Sequence, residues 1–509
     1  MKMKHLLIII LFLSTLTTSW LMGDDFTPKT GKKKDGQDNI MIVPVPVSME
    51  NLDEISVKQL GYFMEIAESV DVLNRIDFFK PYNRTLKGRI SVLLNQAAEI
   101  EPDQCHKQYL TVLSTEVLDD RFYSIVPEWF NLEENKTEII FMPDERHVQK
   151  ELFIKLLFPL DRESFNFENA DPDERLNLFN ADGENKIFDT FVYLNDFDET
   201  LKVEQYIKGF DKMLDNLPSH KGSKIPYTPL APQIKIARLV YSSMPQWISL
   251  VYPHRELFYT QGRFKVVIFK NIADAYVECV LKHIAERILL DNRTMGVDPE
   301  SYLSNLVMHK ISHHMGKVFT VKVQQDKKEK QKTKEEKEKT KGFEIEEKKQ
   351  EKGKKKEREL MLVSETMGNL YPVIEEIKAG AIALHNTSVL IEEGMIPREK
   401  EMDIYATYLV SLVDQLRKNP KGFLNRANIV QFNYLLKKGA IVYNVNHQRL
   451  FIDSSSLIPA VEELAKTLLV NVSMIFGIIR EFGQPGPELE AILKNVEDIP
   501  VKTEFQFNK

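Results

Sequence analysis

The sequence predicts a two-lobed α+β protein, with a mixed α/β N-terminal lobe, a mostly α-helical C-terminal lobe and a cleft between them. Its 509 residues exceed the roughly 250–300 at which a single core stops growing. Short β-rich runs separated by prolines fill the stretch from about 136 to 270, and apolar residues recur at helical spacing beyond it. We therefore expect the mixed lobe over residues 51–260 and the helical lobe over 261–509.

The N-terminus is typical of an exported protein. Lys2 and Lys4 precede an apolar segment, residues 6–22, which Asp24 and Asp25 end. A basic start, a short apolar run and a polar exit describe a secretory signal, and the segment is about the shortest that spans a membrane. Residues 1–22 are therefore expected to be a signal peptide or a signal anchor, leaving the chain secreted, periplasmic or held at a membrane outside the cytoplasm.

Residues 23–50 are expected to link this segment to the first lobe. Their first part is polar, and Pro28, Gly31 and Gly36 interrupt it. From Ile55 to Ile100 apolar residues return at spacings of three and four, which predicts helices. The strands of the mixed lobe are expected at four β-rich runs, namely Glu138–Met142, Phe188–Leu194, Ile234–Tyr241 and Phe264–Phe269.

Two apolar stripes indicate long helices in the second lobe. The first consists of Ile272, Tyr276, Cys279, Ile284 and Ile288. The second consists of Ile374, Ile377, Ala381, Leu384, Ser388 and Ile391. Between these two stripes, residues 326–358 are dominated by Lys and Glu and contain too few apolar residues to offset the entropy of ordering, which predicts a disordered insertion.

Composition excludes one class of partner. The formal net charge is -7, whereas nucleic-acid-binding domains are strongly basic, so we expect no nucleic-acid partner. The sequence has 2 cysteines, Cys105 and Cys279, and they lack C-x-x-C spacing. The cysteines therefore indicate neither a zinc ribbon nor a redox motif.

The candidate metal ligands are histidines 309, 313 and 314. On a helix His309 and His313 lie one turn apart and share a face, so both imidazoles can reach one ion. His314 is turned about 140° from His309 and would need a local bulge to join it. Because the chain contains 11 histidines, this spacing alone is a weak signal.

Two segments give the signal its context. The stretch VMHKISHHMG (307–316) resembles the H-E-L-S-H-G-L-G motif of bacterial members of the dipeptidyl-peptidase III family of zinc metallopeptidases, whose better-known members carry H-E-x-x-G-H. IEEIKAGAIALHNTSVLIEEGMIP (374–397) resembles the second motif of that family, E-E-x-K/R-A-D/E, and the likeness covers residues 260–501. The chain thus resembles a divergent member of the bacterial-type, H-E-x-x-H branch.

The resemblance implies a zinc site. Its ligands would be His309, Glu376 and either His313, by the bacterial spacing, or His314, by the H-E-x-x-G-H spacing. Two histidines and one glutamate leave a fourth position for water, which is the usual arrangement of catalytic zinc.

Three positions depart from the family. Lys310 stands where the family has the glutamate that takes a proton from zinc-bound water, and an ammonium group cannot accept that proton. Gly380 replaces an acid placed to orient a ligand, and Leu424 replaces a family histidine. The loss of the acid and the nearby lysine both weaken zinc binding, so the sequence leaves zinc retention open.

These departures predict a catalytically impaired homologue that binds a peptide or protein partner in the interlobe cleft. One alternative is an active zinc-dependent exopeptidase that releases dipeptides from peptide N-termini and uses Glu375 or Glu365 as its base. Another is a structural role for an exported scaffold. The sequence does not decide whether the protein is an enzyme.

Overall fold

The structure is a computed structural model that shows a mixed α/β fold in two lobes, as the sequence predicts. It describes residues 29–32, 39–49, 52–76, 84–119, 129, 132, 135–143, 188–218, 231–242, 248–252, 265–290, 296–316, 319–321, 360–362, 367, 370–418, 423–470 and 472–507.

A five-stranded sheet forms the centre of the mixed lobe. Its strand order is β3-β4-β5-β7-β6, and every neighbouring pair is antiparallel except β5 and β7. The strands are β3 (Thr137–Pro143), β4 (Phe188–Asn195), β5 (Gln233–Ser242), β6 (Ser249–Tyr252) and β7 (Lys265–Phe269). The four predicted strands are confirmed, and the short strand β6 is an addition to them.

Among the described residues, three helices precede this sheet and two more lie between its strands β4 and β5. The predicted helical region is confirmed by α1 (Glu54–Ile76), α2 (Arg84–Ile100) and α3 (Gln104–Asp119). The helices α4 (Phe197–Lys208) and α5 (Phe210–Asp215) follow β4. Because α4 packs on β5 and on a helix of the second lobe, it joins the sheet to that lobe.

The first predicted stripe forms one long helical segment with a change of pitch. Helix α6 (Lys270–Tyr276) passes through a π-helical turn (Val277–Leu281) into α7 (Lys282–Ile288). All five residues of the stripe are buried. The step from Cys279 to Ile284 is one residue longer than an α-helical turn, and the π turn absorbs the extra residue.

The helical lobe contains the remaining helices of the described residues. They are α8 (Pro299–His313), α9 (Tyr371–Glu392), α10 (Glu401–Lys418), α11 (Phe423–Lys437), α12 (Ser454–Val470), α13 (Val472–Phe482) and α14 (Pro487–Lys494). Short antiparallel pairs join β8 (Phe319–Val321) to β9 (Leu360–Leu362) and β10 (Ile441–Asn444) to β11 (Arg449–Ile452). Helix α9 is central, because it packs against α8, α10, α11 and α12, and it is buried almost throughout. The second predicted stripe lies on this helix.

A small sheet brings the two ends of the described chain together and corrects one prediction. Strand β2 (Asn39–Val45) lies between β1 (Lys29–Lys32) and β12 (Lys502–Phe507), antiparallel to the first and parallel to the second. Val43 and Val45 are fully buried. The predicted linker, residues 23–50, therefore contains a strand of the folded body, because its alternating valines have an apolar face to bury.

Several predictions fall outside the described residues. These are the signal segment 1–22, the charged insertion 326–358 and Glu365. Among the described helices, none combines the length and apolar character needed to cross a membrane. Neither cysteine forms a disulfide, and Cys105 is exposed whereas Cys279 is buried.

Candidate metal centre

The histidine pair lies at the C-terminal end of helix α8. Asp298 caps the start of this helix by accepting a hydrogen bond from the Ser301 amide, and Pro299 occupies its first turn. The helix ends at His313, one turn after His309. The two imidazoles therefore project from one face of the last turns of the helix.

The third candidate ligand comes from the neighbouring helix. Glu376 lies in the second turn of α9, which packs against α8. One ligand atom from each of His309, His313 and Glu376 lies within 4.8 Å of the other two, and all three residues are half-buried. The structure thus brings together the three residues that the sequence singled out.

The spacing of the donor atoms suits a tetrahedral zinc ion. The Nε2 atoms of His309 and His313 are 3.1 Å apart. Glu376 Oε2 lies 3.3 Å from His309 Nε2, and Glu376 Oε1 lies 3.9 Å from His313 Nε2. Ligands about 2.1 Å from a tetrahedral ion are about 3.4 Å from one another. The donor set therefore fits zinc and leaves one position for a ligand from outside the protein.

A further carboxylate orients His313. His313 Nδ1 lies 3.1 Å from Glu375 Oε1, on the ring side opposite the nitrogen that faces His309. Tyr371 Oη donates to Glu375 Oε2 over 3.2 Å, and Lys378 Nζ lies 2.8 Å from Glu375 Oε1. Metal-binding histidines usually donate their second N–H to such a carboxylate. The candidate ligand His313 thus has the orienting partner expected of a metal-binding histidine.

The electrostatics of the cluster favour ionised carboxylates. Burial alone would raise the pKa of Glu375, but the Lys378 ammonium and the His313 hydrogen bond outweigh it and lower that pKa to about 2. Burial also acts to raise the pKa of Glu376, but the hydrogen bond from His309 and the nearby positive charges outweigh it and lower that pKa to about 2. Burial lowers the pKa of His309. A neutral imidazole beside a carboxylate is the ligand state that a metal requires.

The geometry selects His313 rather than His314 as the second histidine. His314 is the residue that follows the last turn of α8, and it is 7% exposed. Burial lowers its pKa to about 3, so the ring is neutral. It is not part of the group of ligand atoms around Glu376. The alternative ligand suggested by the H-E-x-x-G-H spacing is therefore not the one that the fold directs at the site.

A lysine lies beside the ligands where the family has a base. Lys310 follows His309 on α8 and is half-buried. Burial lowers the pKa of Lys310, while the negative charge of Glu376 acts in the opposite direction. The charge of Lys310 also lowers the pKa of Glu376. The amine is therefore close enough to the ligand group to act on it electrostatically.

The room that a side chain at position 380 would need is already filled. A Cβ atom on Gly380 would lie 2.1 Å from Gln431 Oε1 and 2.7 Å from Tyr408 Oη. Tyr408 donates a hydrogen bond to Gln431, which is 4% exposed. The negative charge of Glu376 adds to burial in raising the pKa of Tyr408, so this hydroxyl lies near the ligand group. The space at position 380, where the resemblance implies an acid, is thus occupied by a glutamine and a tyrosine from two other helices.

Leu424 lies at the start of helix α11 and is 38% exposed. It precedes Gln431 by two helical turns, about 10 Å along the axis, so the two residues share a face of the helix. On that face, Gln431 lies against Gly380. The position of Leu424 is thus on the side of α11 that leads to the ligand group, but its side chain is apolar.

The residues that sequence reasoning missed are Lys378, Tyr371, Gln431 and Tyr408. Lys378 and Tyr371 follow and precede Glu375 on α9 by about one turn, and this spacing is a signal that could have paired them with it. Gln431 and Tyr408 reach Gly380 through space from α11 and α10, and the sequence contains no local signal of that contact.

No family model matches the chain. The chain is similar to Nudix hydrolase 3 of Arabidopsis thaliana, with 21% identity over 409 residues. The match covers 80% of this chain and 44% of that protein, so the chain spans less than half of the length of this relative.

Solved structures establish the fold. The structure of dipeptidyl-peptidase III from Caldithrix abyssi matches with a TM-score of 0.71 and 18% identity, over 92% of this chain and 97% of that one. Dipeptidyl-peptidase III from Corallococcus sp. strain EGB matches with a TM-score of 0.60 and 18% identity, over 94% of this chain and 72% of that one. At this level of identity the likeness shows the fold alone. The chain has a dipeptidyl-peptidase III-like fold.

Proposed function

We propose that this protein is a zinc-binding but catalytically impaired relative of the dipeptidyl-peptidase III metallopeptidases, and that it binds a peptide or protein partner between its lobes. One observation carries the proposal. The three metal ligands converge within 4.8 Å of one another, whereas the residue beside them that should be a carboxylate base is Lys310.

Zinc is the expected metal because the similar solved proteins belong to a zinc enzyme family and the donors here are two imidazoles and a carboxylate. His309, His313 and Glu376 would hold it. A zinc ion in such a site polarises a carbonyl group and lowers the pKa of bound water. Selection of His313 over His314 supports assignment to the H-E-x-x-H branch.

Among the described residues beside the ligands, neither Lys310 nor Glu375 is suited to take a proton from water. An ammonium group has three donors and no acceptor, so Lys310 cannot act as the base while it is charged. Glu375, a candidate base in the alternative hypothesis, already accepts from His313, Lys378 and Tyr371. Its low pKa also makes it a weak proton acceptor. These two residues support the proposal that hydrolysis is impaired.

Peptide binding does not need that base. The ligand side chains remain partly exposed, with 29% of His309, 18% of His313 and 19% of Glu376 accessible to solvent. A peptide carbonyl can therefore approach the open metal position. The lack of polar groups at Gly380 and Leu424 affects hydrolysis at the metal more than it affects the approach of a peptide to the metal.

The test measures metal and peptide binding together. Purified protein should bind one zinc per chain, and the zinc-loaded form should bind a short peptide in a titration calorimeter. The Glu376→Gln variant should lose at least tenfold in zinc affinity, because one of three ligands has lost its charge. Glu392→Gln, an exposed change on the same helix, is the matched control. Wild-type protein that binds neither zinc nor peptide would refute the proposal.

The second candidate function is an active zinc exopeptidase that releases dipeptides. The intact convergence of the three ligands favours it. The same zinc-loaded protein decides between the two, since chelator-sensitive release of dipeptides would support the enzyme and binding without release would support the impaired relative.

A further inference from the structure

We propose that Lys378 is a positioning residue for the metal centre, acting through Glu375 to set the tautomer and orientation of His313. Lys378 does not touch the ligand group itself. The inference rests on the proposed metal binding, and it concerns how strongly this chain holds the ion.

The argument begins with a short chain of contacts. Lys378 Nζ lies 2.8 Å from Glu375 Oε1, and the same oxygen lies 3.1 Å from His313 Nδ1. Tyr371 Oη holds the other carboxylate oxygen at 3.2 Å. Glu375 is thus held at both oxygens, in one orientation, by a cation and two hydrogen bonds. The orientation of the His313 ring follows from it.

The orientation has a chemical consequence. A neutral imidazole carries one N–H, and a carboxylate that accepts at Nδ1 places the proton there. The lone pair of His313 Nε2 then points to the side of the ring that faces His309 Nε2, 3.1 Å away. An ion bound by both rings would lie on this side. A His313 ring with its proton on Nε2 could not bind the ion through that nitrogen until the proton moved. The position of Glu375 therefore favours the tautomer in which His313 can be a ligand.

Lys378 is itself fixed by its surroundings. It is 9% exposed, and a lysine this deeply buried is costly unless it is paired. Its stem packs against Gly316, which follows α8 with a φ of +114°. A Cβ on Gly316 would lie 3.3 Å from Lys378 Cδ and 3.0 Å from Leu469 Cδ2. Glycine at 316 thus provides the space in which the lysine can reach Glu375.

The arrangement also joins the two ligand helices. Lys378 and Glu375 belong to α9, whereas His313 and the turn at Gly316 belong to the end of α8. Removal of the ammonium would leave the buried Glu375 carboxylate beside Glu376 with less positive charge to hold it. We expect Glu375 then to turn away, and the His313 hydrogen bond to be lost.

The experiment compares three substitutions at Lys378 in the full chain. Lys378→Met keeps the apolar stem and removes the charge, Lys378→Gln keeps a hydrogen-bond donor without charge, and Lys378→Arg keeps the charge. The matched control is Lys400→Met, which removes a lysine that pairs with Asp298 at the other end of α8. Zinc affinity is measured by competition with a chromophoric chelator, and thermal unfolding confirms that each variant is folded.

We expect Lys378→Met to weaken zinc binding by about 10–100-fold, the range for loss of an orienting partner. Lys378→Gln should be intermediate, Lys378→Arg should stay within about threefold of wild type, and Lys400→Met should match wild type. Folded Lys378→Met and Lys378→Gln proteins with wild-type zinc affinity would overturn the proposal. So would equal losses in Lys378→Arg and Lys378→Met.

A second measurement separates this inference from the proposed function. Nitrogen-15 NMR of the metal-free protein reports which ring nitrogen of His313 carries the proton. We expect the Nδ1–H form in wild type and Lys378→Arg, and its loss in Lys378→Gln and Lys378→Met. If wild type and the variants show this tautomer pattern but wild type binds no zinc, the proposed function is refuted and the role of Lys378 is supported. An unchanged tautomer in all variants refutes the role of Lys378 whatever the zinc result.

Discussion

Two clusters of charged side chains differ in how they meet solvent. In the helical lobe, His309, His313 and Glu376 are 18–29% exposed, and their donor atoms point at one another. In the mixed lobe, Glu138 and Lys265 are completely buried inside the five-stranded sheet. The first cluster leaves its donors available to a ligand, and the second does not.

The mixed-lobe cluster consists of one carboxylate and two lysines. Glu138 accepts hydrogen bonds from Tyr193, Trp129 and Asn195, and Lys235 Nζ lies 3.3 Å from its Oε1. Lys265 donates to the main-chain oxygens of Trp129 and Leu132, over 2.8 and 3.2 Å. Its amine also lies 4.3 Å from the centre of the Trp129 ring. This network ties the chain before β3 to strands β3, β4, β5 and β7.

The comparison shows that a perturbed pKa alone does not identify a functional site. The pKa of Glu138 lies well below its ordinary value, because Lys265 and Lys235 outweigh the effect of burial. Glu376 has a low pKa for similar reasons. What distinguishes Glu376 is a partly exposed position and a set of donors with one position left open.

The largest expected effect belongs to the buried network. Glu138→Gln leaves two buried lysines without a counter-charge, and breaking a buried ion pair typically costs about 3–5 kcal/mol. We expect a loss of that size in the free energy of unfolding, measured in urea, with zinc affinity unchanged in the folded fraction. Glu462→Gln, an exposed change on α12, should stay within about 0.5 kcal/mol of wild type. A stable Glu138→Gln variant with weakened zinc binding would reverse the assignment of the two clusters.

The next effect concerns the filled space at Gly380. We expect Gly380→Asp to lower the free energy of unfolding by about 1–3 kcal/mol, because the new side chain overlaps Gln431. Gly380→Asp with Gln431→Ala should recover at least half of that loss. Gly61→Asp is the matched control, since a Cβ there meets nothing within 4 Å. If Gly380→Asp alone is as stable as wild type, Gln431 does not fill the place of the acid.

The next effect comes from pH and acts on the free energy of unfolding of the metal-free protein. The folded pKa of His314 is about 3, below its ordinary 6.5, so the unfolded chain binds a proton that the folded chain does not. Stability is therefore lost as pH falls from 6.5 towards 3, by up to about 1.4 kcal/mol per pH unit. Burial lowers the pKa of His309 as well, and acts in the same direction. The low values for Glu375 and Glu376 add to the loss only below about pH 4.5.

Urea unfolding of metal-free protein between pH 6.5 and 4.5 measures this effect. His314→Gln should flatten the slope, and His447→Gln, an exposed change, should leave it as in wild type. An equal slope in wild type and His314→Gln would show that His314 is not buried in its neutral form.

The smallest expected effect is on catalysis. Lys310→Glu alone should restore little dipeptide release, because positions 380 and 424 still lack polar groups and residues that act as a unit are strongly non-additive. Lys310→Glu with Gly380→Asp, Leu424→His and Gln431→Ala should bind zinc more tightly than Lys310→Glu. Chelator competition measures the zinc affinity of both variants, and turnover of a dipeptidyl substrate measures their activity. Full activity from Lys310→Glu would show that the other two positions do not matter.

The sequence predicted the elements whose pattern of apolar side chains repeats within one strand or one helix. Strands such as Ile234–Tyr241 and the stripe on α9 were confirmed because side-chain alternation and helical spacing are set within one element. His309 and His313 could be paired for the same reason. The family resemblance was needed to add Glu376, since nothing local joins two helices separated by residues 326–358.

The remaining features depend on contacts through space. The pairing of β2 with β12 joins the two ends of the described chain, and no local pattern specifies a partner so distant in sequence. Gln431 reaches Gly380 from α11, so an interpretation of Gly380 as a simple loss missed its replacement. The π turn at Val277–Leu281 was visible only as a five-residue step in an apolar stripe.

The most direct test of the central claim is dipeptide release by the unmodified, zinc-loaded protein, measured with and without a chelator. We expect zinc to bind and dipeptidyl substrates to remain uncut above background, because the position of the general base, which typically supplies about 10²–10⁴-fold in rate, is occupied by Lys310. Rapid release of dipeptides that stops when the chelator removes zinc would contradict this account and establish an active peptidase.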